Sequence, residues 1–281
     1  MQTASDAKQQ ILMLKQLPPL SATATRLLEI LTSDNLSLHG LAKVIAQDPT
    51  VTARILGVAN SAYFGQTVPI HSVEDAIIRV LGLNMVKSLA FSIALSGVFN
   101  TARCQGFDLE DYWYRSLATA LLSREICQHV ASAQRPDLDS VYLAGLLFDI
   151  GSLVLVHLFP EDYAKAIATF QQSPTADRQT VEMETVGISS QQAGAWLTDR
   201  WHLPALVVQV VAQSPLDDAQ CEVAAVSLAS QLVALHQQAD TAMPEVSAHL
   251  PGLSTETLAM ILAETRLRDD ELHSIASVMV K

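Results

Sequence analysis

The chain has 281 residues, of which 49% are hydrophobic and 16% charged, and its net charge is -12. This composition provides for a large buried core and excludes a disordered polypeptide. A negative field of this size repels nucleic-acid phosphates and anionic membranes, and Lys and Arg occur singly rather than in clusters, so we expect neither as a partner.

Cysteine usage and the N-terminal residues indicate the compartment. Cys104, Cys127 and Cys221 are an odd number at wide spacing, without a CxxC pair, which predicts reduced thiols. The opening residues, MQTASDAKQQ, lack the basic and apolar regions of a secretory signal. We therefore expect a cytoplasmic protein.

Helical periodicity dominates the first third of the chain. Asp48-Pro49 predicts a helix start, because Asp accepts from free N–H groups and Pro suits the first turn. The helix that follows is expected to end before Gly65. Ser72 begins a sequence similar to a capping box, SVED, and Gly82 is expected to stop that helix. The apolar stretch 84–99 predicts a deeply buried helix.

The periodic pattern breaks near residues 103–109, where we expect a boundary between an N-terminal lobe, 1–105, and a second helical lobe, 106–281. The polar stretch 171–180 predicts an exposed loop. Because no run of alternating residues predicts a strand, the fold class is all-α. Helices are predicted at about 110–130, 140–148, 153–159, 162–170, 181–185, 190–200, 204–213, 219–238, 254–266 and 269–280.

One apolar stretch, 141–159, has the length of a membrane span. Asp149 lies near its centre, and a central Asp costs about 2.5–3.5 kcal/mol of insertion free energy. The stretch also lacks a flank rich in Lys and Arg. We expect two buried helical pieces that meet at Asp149 and Gly151.

Six motifs occur in a characteristic order between residue 17 and about residue 215. They are LPPL (17–20), IAQDP (45–49), ILGVANSAYFG (55–65), IHSVEDAIIRVLG (70–82), AGLLFDIG (144–151) and WHLP (201–204). This segment resembles the HDOD family, the HD-related output domain. The resemblance implies kinship with HD-type phosphohydrolases and cyclic-di-GMP phosphodiesterases, helical enzymes whose His and Asp residues hold divalent metals that activate water.

The resemblance also implies where metal ligands would stand. Phe148 replaces the His of the central His-Asp pair, which leaves Asp149. Arg115 stands at an earlier His position, where a cation would repel a metal. Ser190 and Ser214 stand near the two later His positions. We therefore expect a dismantled site with no metal, no cofactor and no catalytic residue.

The eight histidines agree with this expectation, since they form neither an i, i+4 pair nor an HExxH motif. Two interpretations of Asp149 stay open: a surviving metal ligand, or a buried carboxylate that caps a helix or pairs with Arg115. We favour the second, because one carboxylate does not make a metal site.

A second group of candidates comes from the motifs before residue 66. They form either a contact surface for a partner or a set of helix caps and core contacts, and we favour the caps. The residues are Asp48, Pro49, Asn60, Ser61, Tyr63, Phe64 and Gly65.

The sequence thus predicts a non-catalytic signalling module that binds another protein, or a second messenger such as a cyclic nucleotide. One alternative is an active metal-dependent phosphohydrolase of the HD type. Another is a receptor for a small nucleotide that reuses the old pocket, lined by Arg115, Phe148, Ser190 and Ser214, where Arg115 would meet the phosphate.

Overall fold

The computed structural model describes residues 17–33, 37–131, 135–173, 176–213, 221–236, 244–246 and 248–281. Within these ranges the chain forms helices joined by turns, and no strand occurs in them. The predicted all-α fold class is confirmed.

The first part of the chain contains five α-helices and two other helical turns. The helices are α1 (Ala22–Leu31), α2 (Leu38–Ile45), α3 (Pro49–Ala59), α4 (Val73–Ala76) and α5 (Leu83–Ser96). A 3₁₀ turn, Ala62–Phe64, follows α3, and a π-helical turn, Ile77–Leu81, continues α4. The helix predicted after Ser72 is therefore a short α-helix that widens into a π turn, and Gly82, with φ +78°, ends it as expected.

The rest of the chain contains ten further helices in the described residues. They are α6 (Leu109–Gln128), α7 (Leu138–Leu147), α8 (Ile150–Leu158), α9 (Pro160–Gln172), α10 (Arg178–Thr185), α11 (Ser190–Arg200), α12 (Ala205–Val211), α13 (Cys221–His236), α14 (Thr255–Leu267) and α15 (Asp269–Val280). The predicted helices of this part all occur, but the predicted loop at 171–180 is wrong at both ends, since α9 runs to Gln172 and α10 begins at Arg178.

Side-chain caps explain where several helices begin. One oxygen of Asp48 accepts from the N–H groups of Thr50 and Val51, both at 3.1 Å, and Pro49 fills the first helical position of α3. The predicted start is confirmed. At α4 the hydroxyl of Ser72 accepts from the N–H of Asp75 at 3.0 Å, and it donates to the Asp75 carboxylate at 2.9 Å. The shorter Asp thus bonds the Ser hydroxyl in this variant of the capping box.

The central helix is α6, which packs against α7, α13 and α15. Its buried residues lie on several faces and include Tyr112, Trp113 and Ile126. Gly145 permits the close approach of α7, because an added Cβ there would lie 2.6 Å from the Cα of Ala120 on α6. Small residues at this crossing therefore set the distance between α6 and α7.

The stretch 138–158 is long and apolar enough to cross a membrane, yet 83% of its most apolar window is buried inside the protein. It is broken after Leu147 and resumes as a second helix at Ile150. The two buried pieces predicted to meet at Asp149 are present, and both belong to the core of the fold.

The last helix, α15, joins the two parts of the chain. The guanidinium of Arg268, at its start, lies 3.5 Å from the ring centroid of Tyr63 and also donates to the Tyr63 carbonyl. Tyr114 of α6 stacks on His273 with a centroid distance of 4.0 Å. Because α15 contacts both α3 and α6, the buried residues form one continuous cluster. The division into lobes at residue 105 stays a prediction.

A glycine contact between α8 and α11 generates a first prediction. A Cβ on Gly151 would lie 1.8 Å from the carbonyl oxygen of Ser190, so Gly151→Ala must push two backbones apart. We expect the free energy of unfolding, measured by urea titration, to fall by about 3 kcal/mol. Gly97→Ala is the control, because its φ is -63° and its added Cβ meets only ordinary contacts. It should be neutral or stabilising by about 0.5 kcal/mol. Equal effects of the two changes would contradict this packing.

His157 generates a second prediction, on pH. Its Nδ1 accepts from the backbone N–H of Asn100 at 2.9 Å, which requires an unprotonated Nδ1. Burial, and after it the charge of Arg103, lowers the pKa of His157 below its ordinary value. Stability from the neutral ring is therefore present above about pH 6.5 and is lost as pH falls below it. An NMR titration of the ring protons should give a midpoint below about 6.5.

A control separates this effect from general acid unfolding. His157→Gln should lose less unfolding free energy than the wild type between a neutral and a mildly acidic buffer, whereas His39→Gln, at a side chain that is 83% exposed, should follow the wild type. An NMR midpoint at or above about 6.5 for His157 would refute the argument.

Candidate functional site

The site is centred on Asp149, in the break between α7 and α8. Asp149 is only 6% exposed. One carboxylate oxygen, Oδ1, accepts from the hydroxyl of Ser152 at 2.5 Å. The side chain makes no capping bond to the start of α8, so the predicted capping role is wrong. The reason is that both carboxylate oxygens are engaged by side chains from elsewhere in the fold.

Arg178, the first residue of α10, provides the main partner of Asp149. Its Nη1 and Nη2 lie 3.2 Å and 3.1 Å from the two carboxylate oxygens, a bidentate arrangement. Nη2 also donates to the hydroxyls of Ser152 and Tyr163, the latter at 3.1 Å. Nε donates to Glu182 at 3.0 Å. One guanidinium therefore bonds two carboxylates and two hydroxyls.

Glu182 extends this network to α11. The residue is 1% exposed, and its second oxygen accepts from the N–H of Ser190 at 2.6 Å and from the Ser190 hydroxyl at 2.8 Å. We call Asp149, Ser152, Tyr163, Arg178, Glu182 and Ser190 the Arg178 network. It ties together the N-terminal parts of α8, α9, α10 and α11.

Arg115 lies at the edge of this network. Its Nε is 3.0 Å from Asp111, one turn earlier on α6, and its Nη1 is 3.8 Å from Asp149. The expected pairing of Arg115 with Asp149 is present, but Arg178 is the nearer cation. Two guanidiniums thus face three carboxylates, those of Asp111, Asp149 and Glu182.

The charge state of the network follows from its contacts. Burial by itself would lower the pKa of Arg178, but Asp149, Tyr163 and Glu182 together hold it well above its ordinary value. Burial raises the pKa of Tyr163, so its hydroxyl keeps its proton. Arg178 is therefore a cation and Tyr163 a neutral hydroxyl at neutral pH.

A divalent metal does not fit these residues. Among the described residues, no group of three or more His, Cys, Asp and Glu side chains converges on one point. The two buried carboxylates at the centre, Asp149 and Glu182, are both bonded by Arg178. A metal at Asp149 would have to compete with that guanidinium, which already contacts both carboxylate oxygens.

Two cavities flank the arginines, and both Arg115 and Arg178 line each of them. The larger, of about 620 Å³, lies against α6, α12 and α13, and we call it the α13 cavity. The other, of about 590 Å³, lies beside α9 and is lined by Asp111, Tyr163 and Phe170 among others. Each is large enough for a small organic molecule.

The structure brings some of the residues predicted from the sequence together and separates others. Arg115 and Phe148 line the α13 cavity beside Asp149. Ser190 is absent from that lining and is bonded to Glu182 instead, so its expected place in the pocket is wrong. Ser214 lies outside the described residues.

Sequence reasoning missed Arg178, Tyr163 and Glu182. Arg178 and Glu182 have the i, i+4 spacing of a helical ion pair, and this signal was available. It was hidden because the surrounding polar residues predicted a loop. Nothing local in the sequence indicates that the same arginine reaches Asp149, 29 residues earlier.

The motif residues before residue 66 lie in a separate region. Asn60 bonds across the following loop: its amide donates to the carbonyls of Leu56 and Ile70 at 2.8 Å and 2.9 Å, and its oxygen accepts from the N–H of Ile70 at 2.7 Å. Gly65 has φ +58°, which suits glycine. These contacts favour the role in capping over a contact surface.

The aromatic pair of the same motif packs inward. The rings of Tyr63 and Phe64 meet edge to face at 5.0 Å, and both pack on the core. The hydroxyl of Ser61 is buried and has no hydrogen-bond partner in the described part of the chain. A partner surface at these residues stays a prediction.

Comparison with known proteins gives the family. The model of the HDOD domain matches residues 17–215, which is well over half of the chain. The chain belongs to the HDOD family. This agrees with the motifs, and the match ends before α13, so the last three helices lie beyond it.

Solved structures share the fold of this HDOD protein. A proposed signal transduction protein from Marinobacter aquaeolei is 26% identical with a TM-score of 0.84, and the match covers 99% of this chain and 66% of that one. A proposed phosphohydrolase from Shewanella amazonensis is 19% identical with a TM-score of 0.74, over 96% and 97% of the two chains. An HDOD domain protein of unknown function from Geobacter sulfurreducens is 20% identical, also with a TM-score of 0.74, over 98% and 99%.

A curated relative from Treponema pallidum (strain Nichols), an uncharacterized protein, is 23% identical over 190 residues. The match covers 66% of this chain but only 36% of the relative, so the HDOD chain spans about a third of that protein.

The Arg178 network generates a third prediction. Arg178→Met leaves two buried carboxylates without their main cation, so we expect the free energy of unfolding to fall by about 3 kcal/mol, the lower end for a broken buried pair because the Arg178 side chain is one-third exposed. Arg115→Met should cost only about 1 kcal/mol. Urea titration measures both.

The matched control is Arg26→Met, whose partner Gln47 is on the protein surface. It should change the unfolding free energy by less than about 0.5 kcal/mol. An Arg178→Met protein as stable as the Arg26→Met protein would mean that the network does not stabilise the fold.

Proposed function

We propose that this HDOD protein is a non-catalytic regulatory module that acts by binding, with another protein as its principal partner. The observation that supports this most is the state of Asp149. Its two oxygens are bonded by Arg178 and Ser152, so the carboxylate available for a metal in a hydrolase is already neutralised. Hydrolysis of a phosphoester by metal-activated water needs the opposite arrangement, an open coordination position.

Further support comes from the relatives and from the surface charge. The Marinobacter aquaeolei protein, with a TM-score of 0.84, carries a signal-transduction name. The net charge of -12 favours a protein partner over nucleic acid or an anionic membrane. We also propose a cytoplasmic location, because the three cysteines are free, buried thiols.

The competing function is metal-dependent phosphohydrolysis, which the name of the Shewanella amazonensis protein carries. That structure is 19% identical and shares the fold alone. An active site here would require Arg178 to leave both Asp149 and Glu182. The bonds that Arg178 makes with these two residues and with Tyr163 oppose such a movement.

Metal analysis tests the proposal. Protein produced with added manganese, iron and zinc and purified without chelator should contain far less than one metal ion per chain. Its melting temperature should be the same in EDTA and in manganese, because a cation that does not bind the native state cannot stabilise it. Bis(p-nitrophenyl) phosphate should not be hydrolysed above the rate in buffer.

The outcome against the proposal is equally clear. Stoichiometric metal with a higher melting temperature, together with phosphodiesterase activity lost in Asp149→Asn, would establish an enzyme. An Asp149→Asn protein with unchanged background hydrolysis is the matching control for contaminating activity.

A further inference from the structure

We propose that the α13 cavity binds a small amphipathic organic monoanion, with the anionic group at Arg115 and Thr119 and the apolar body along α13. The inference adds a ligand to the proposed function. It rests on that function in one respect, namely that no metal with bound water occupies the end of the cavity at Arg115 and Arg178.

The size and walls of the cavity suit such a molecule. Its volume of about 620 Å³ lies within the usual range of ligand pockets, about 300–1,000 Å³. Phe148 and Val210 line it together with Val223, Val226 and Val233 of α13. The polar lining is restricted to hydroxyls, amides and the two guanidiniums. An apolar body with few polar groups is therefore the complementary ligand.

The charge of the walls selects an anion. Arg115 and Arg178 line the cavity, whereas no aspartate or glutamate does so among the described residues. Their partners Asp111, Asp149 and Glu182 are all absent from the lining. In a chain of net charge -12, the described lining of this cavity presents cations without carboxylates.

The local charge balance opposes each added negative charge, so it favours a monoanion over a polyanion. Two guanidiniums already face three carboxylates, so the site has no surplus positive charge for a polyphosphate. Arg178 uses Nε, Nη1 and Nη2 within its network. Arg115 is within ion-pair distance of Asp111 through Nε and of Asp149 through Nη1, and its Nε has no hydrogen-bond partner in the described part of the chain. Arg115 is therefore the donor available to a ligand.

Thr119 provides an independent observation. Thr119 lines the cavity and is fully buried. Its hydroxyl has no hydrogen-bond partner in the described part of the chain. It follows Arg115 by one turn of α6, so both side chains are on the same face. A buried hydroxyl without a partner is unfavourable, and an anionic oxygen placed between Arg115 and Thr119 would satisfy it.

Two matched dyes test the proposal by fluorescence titration of the full chain. 8-Anilinonaphthalene-1-sulfonate is an amphipathic monoanion, and N-phenyl-1-naphthylamine is the same molecule without the sulfonate. We expect saturable binding of the anion to one site per chain and about ten-fold weaker binding of the neutral dye, the difference made by a charged hydrogen bond. Decanoate should compete with the anion, whereas ATP should not.

Variants assign the binding to the cavity. Arg115→Met should weaken the anionic dye about ten-fold and leave the neutral dye nearly unchanged. Ser227→Trp, at an exposed lining position of α13, should weaken the binding of both dyes, and Ala259→Trp, at an exposed position of α14, should weaken the binding of neither.

Thr119→Val should weaken the binding of the anionic dye without loss of stability. Ser92→Ala, at another buried hydroxyl without a partner and away from the cavity, should leave binding unchanged.

Any of three results with the dyes would overturn the proposal: no saturable binding, equal affinity for the two dyes with no effect of Arg115→Met, or full binding by the Ser227→Trp protein. Tight ATP binding would replace the monoanion with a polyanion and equally refute it. Circular dichroism identifies any variant that fails to fold. If Arg115→Met or Ser227→Trp fails to fold, the binding of the anionic dye by Thr119→Val decides the test. Metal content is measured separately, so a failed dye test leaves the proposed function standing, whereas failure of the proposed function is recognised by stoichiometric metal.

Discussion

The bidentate pair between Arg178 and Asp149 is the interaction on which the site depends. Asp149 lies between two helices that belong to the apolar core, and a buried carboxylate is costly unless a cation and hydrogen bonds compensate it. Arg178 provides both and bonds Glu182 as well. The result is that one guanidinium holds α8, α9 and α10 together, and Glu182 extends the contact to Ser190 of α11. Gly151 and Gly194 let α8 and α11 approach closely.

The same pair decides what chemistry the site can support. A divalent metal and a guanidinium both neutralise carboxylates, but only the metal has coordination positions that can activate water. The pKa of Arg178 lies well above its ordinary value, so Arg178 stays charged beside the two carboxylates. Under the proposed function, the HDOD fold is retained without a metal that activates water.

The sequence predicts the helices well because their signals are local. Apolar periodicity and caps such as Asp48 and Ser189 operate within one or two turns, and the predicted helix at 190–200 has the observed bounds. The site is harder because its bonds are not local: Arg178 reaches 29 residues back to Asp149 and lies in a stretch whose composition predicts a loop. Only the family resemblance predicted that Arg115 lies near Asp149. Ser190 was predicted to line the pocket because nothing in the sequence indicates that it bonds Glu182.

Arg115 lies both at the edge of the Arg178 network and in the wall of the α13 cavity, and this position couples the two. Its guanidinium is 3.8 Å from Asp149, farther than the 3.1–3.2 Å of Arg178, so it is the weaker and more easily redirected partner. A ligand that draws Arg115 toward the cavity weakens its contact with Asp149, and by thermodynamic linkage a stronger contact lowers the affinity for that ligand equally. Since Asp149 is tied through Arg178 to α10 and α11, occupancy of the cavity is linked to the packing of helices that a bound protein would sense.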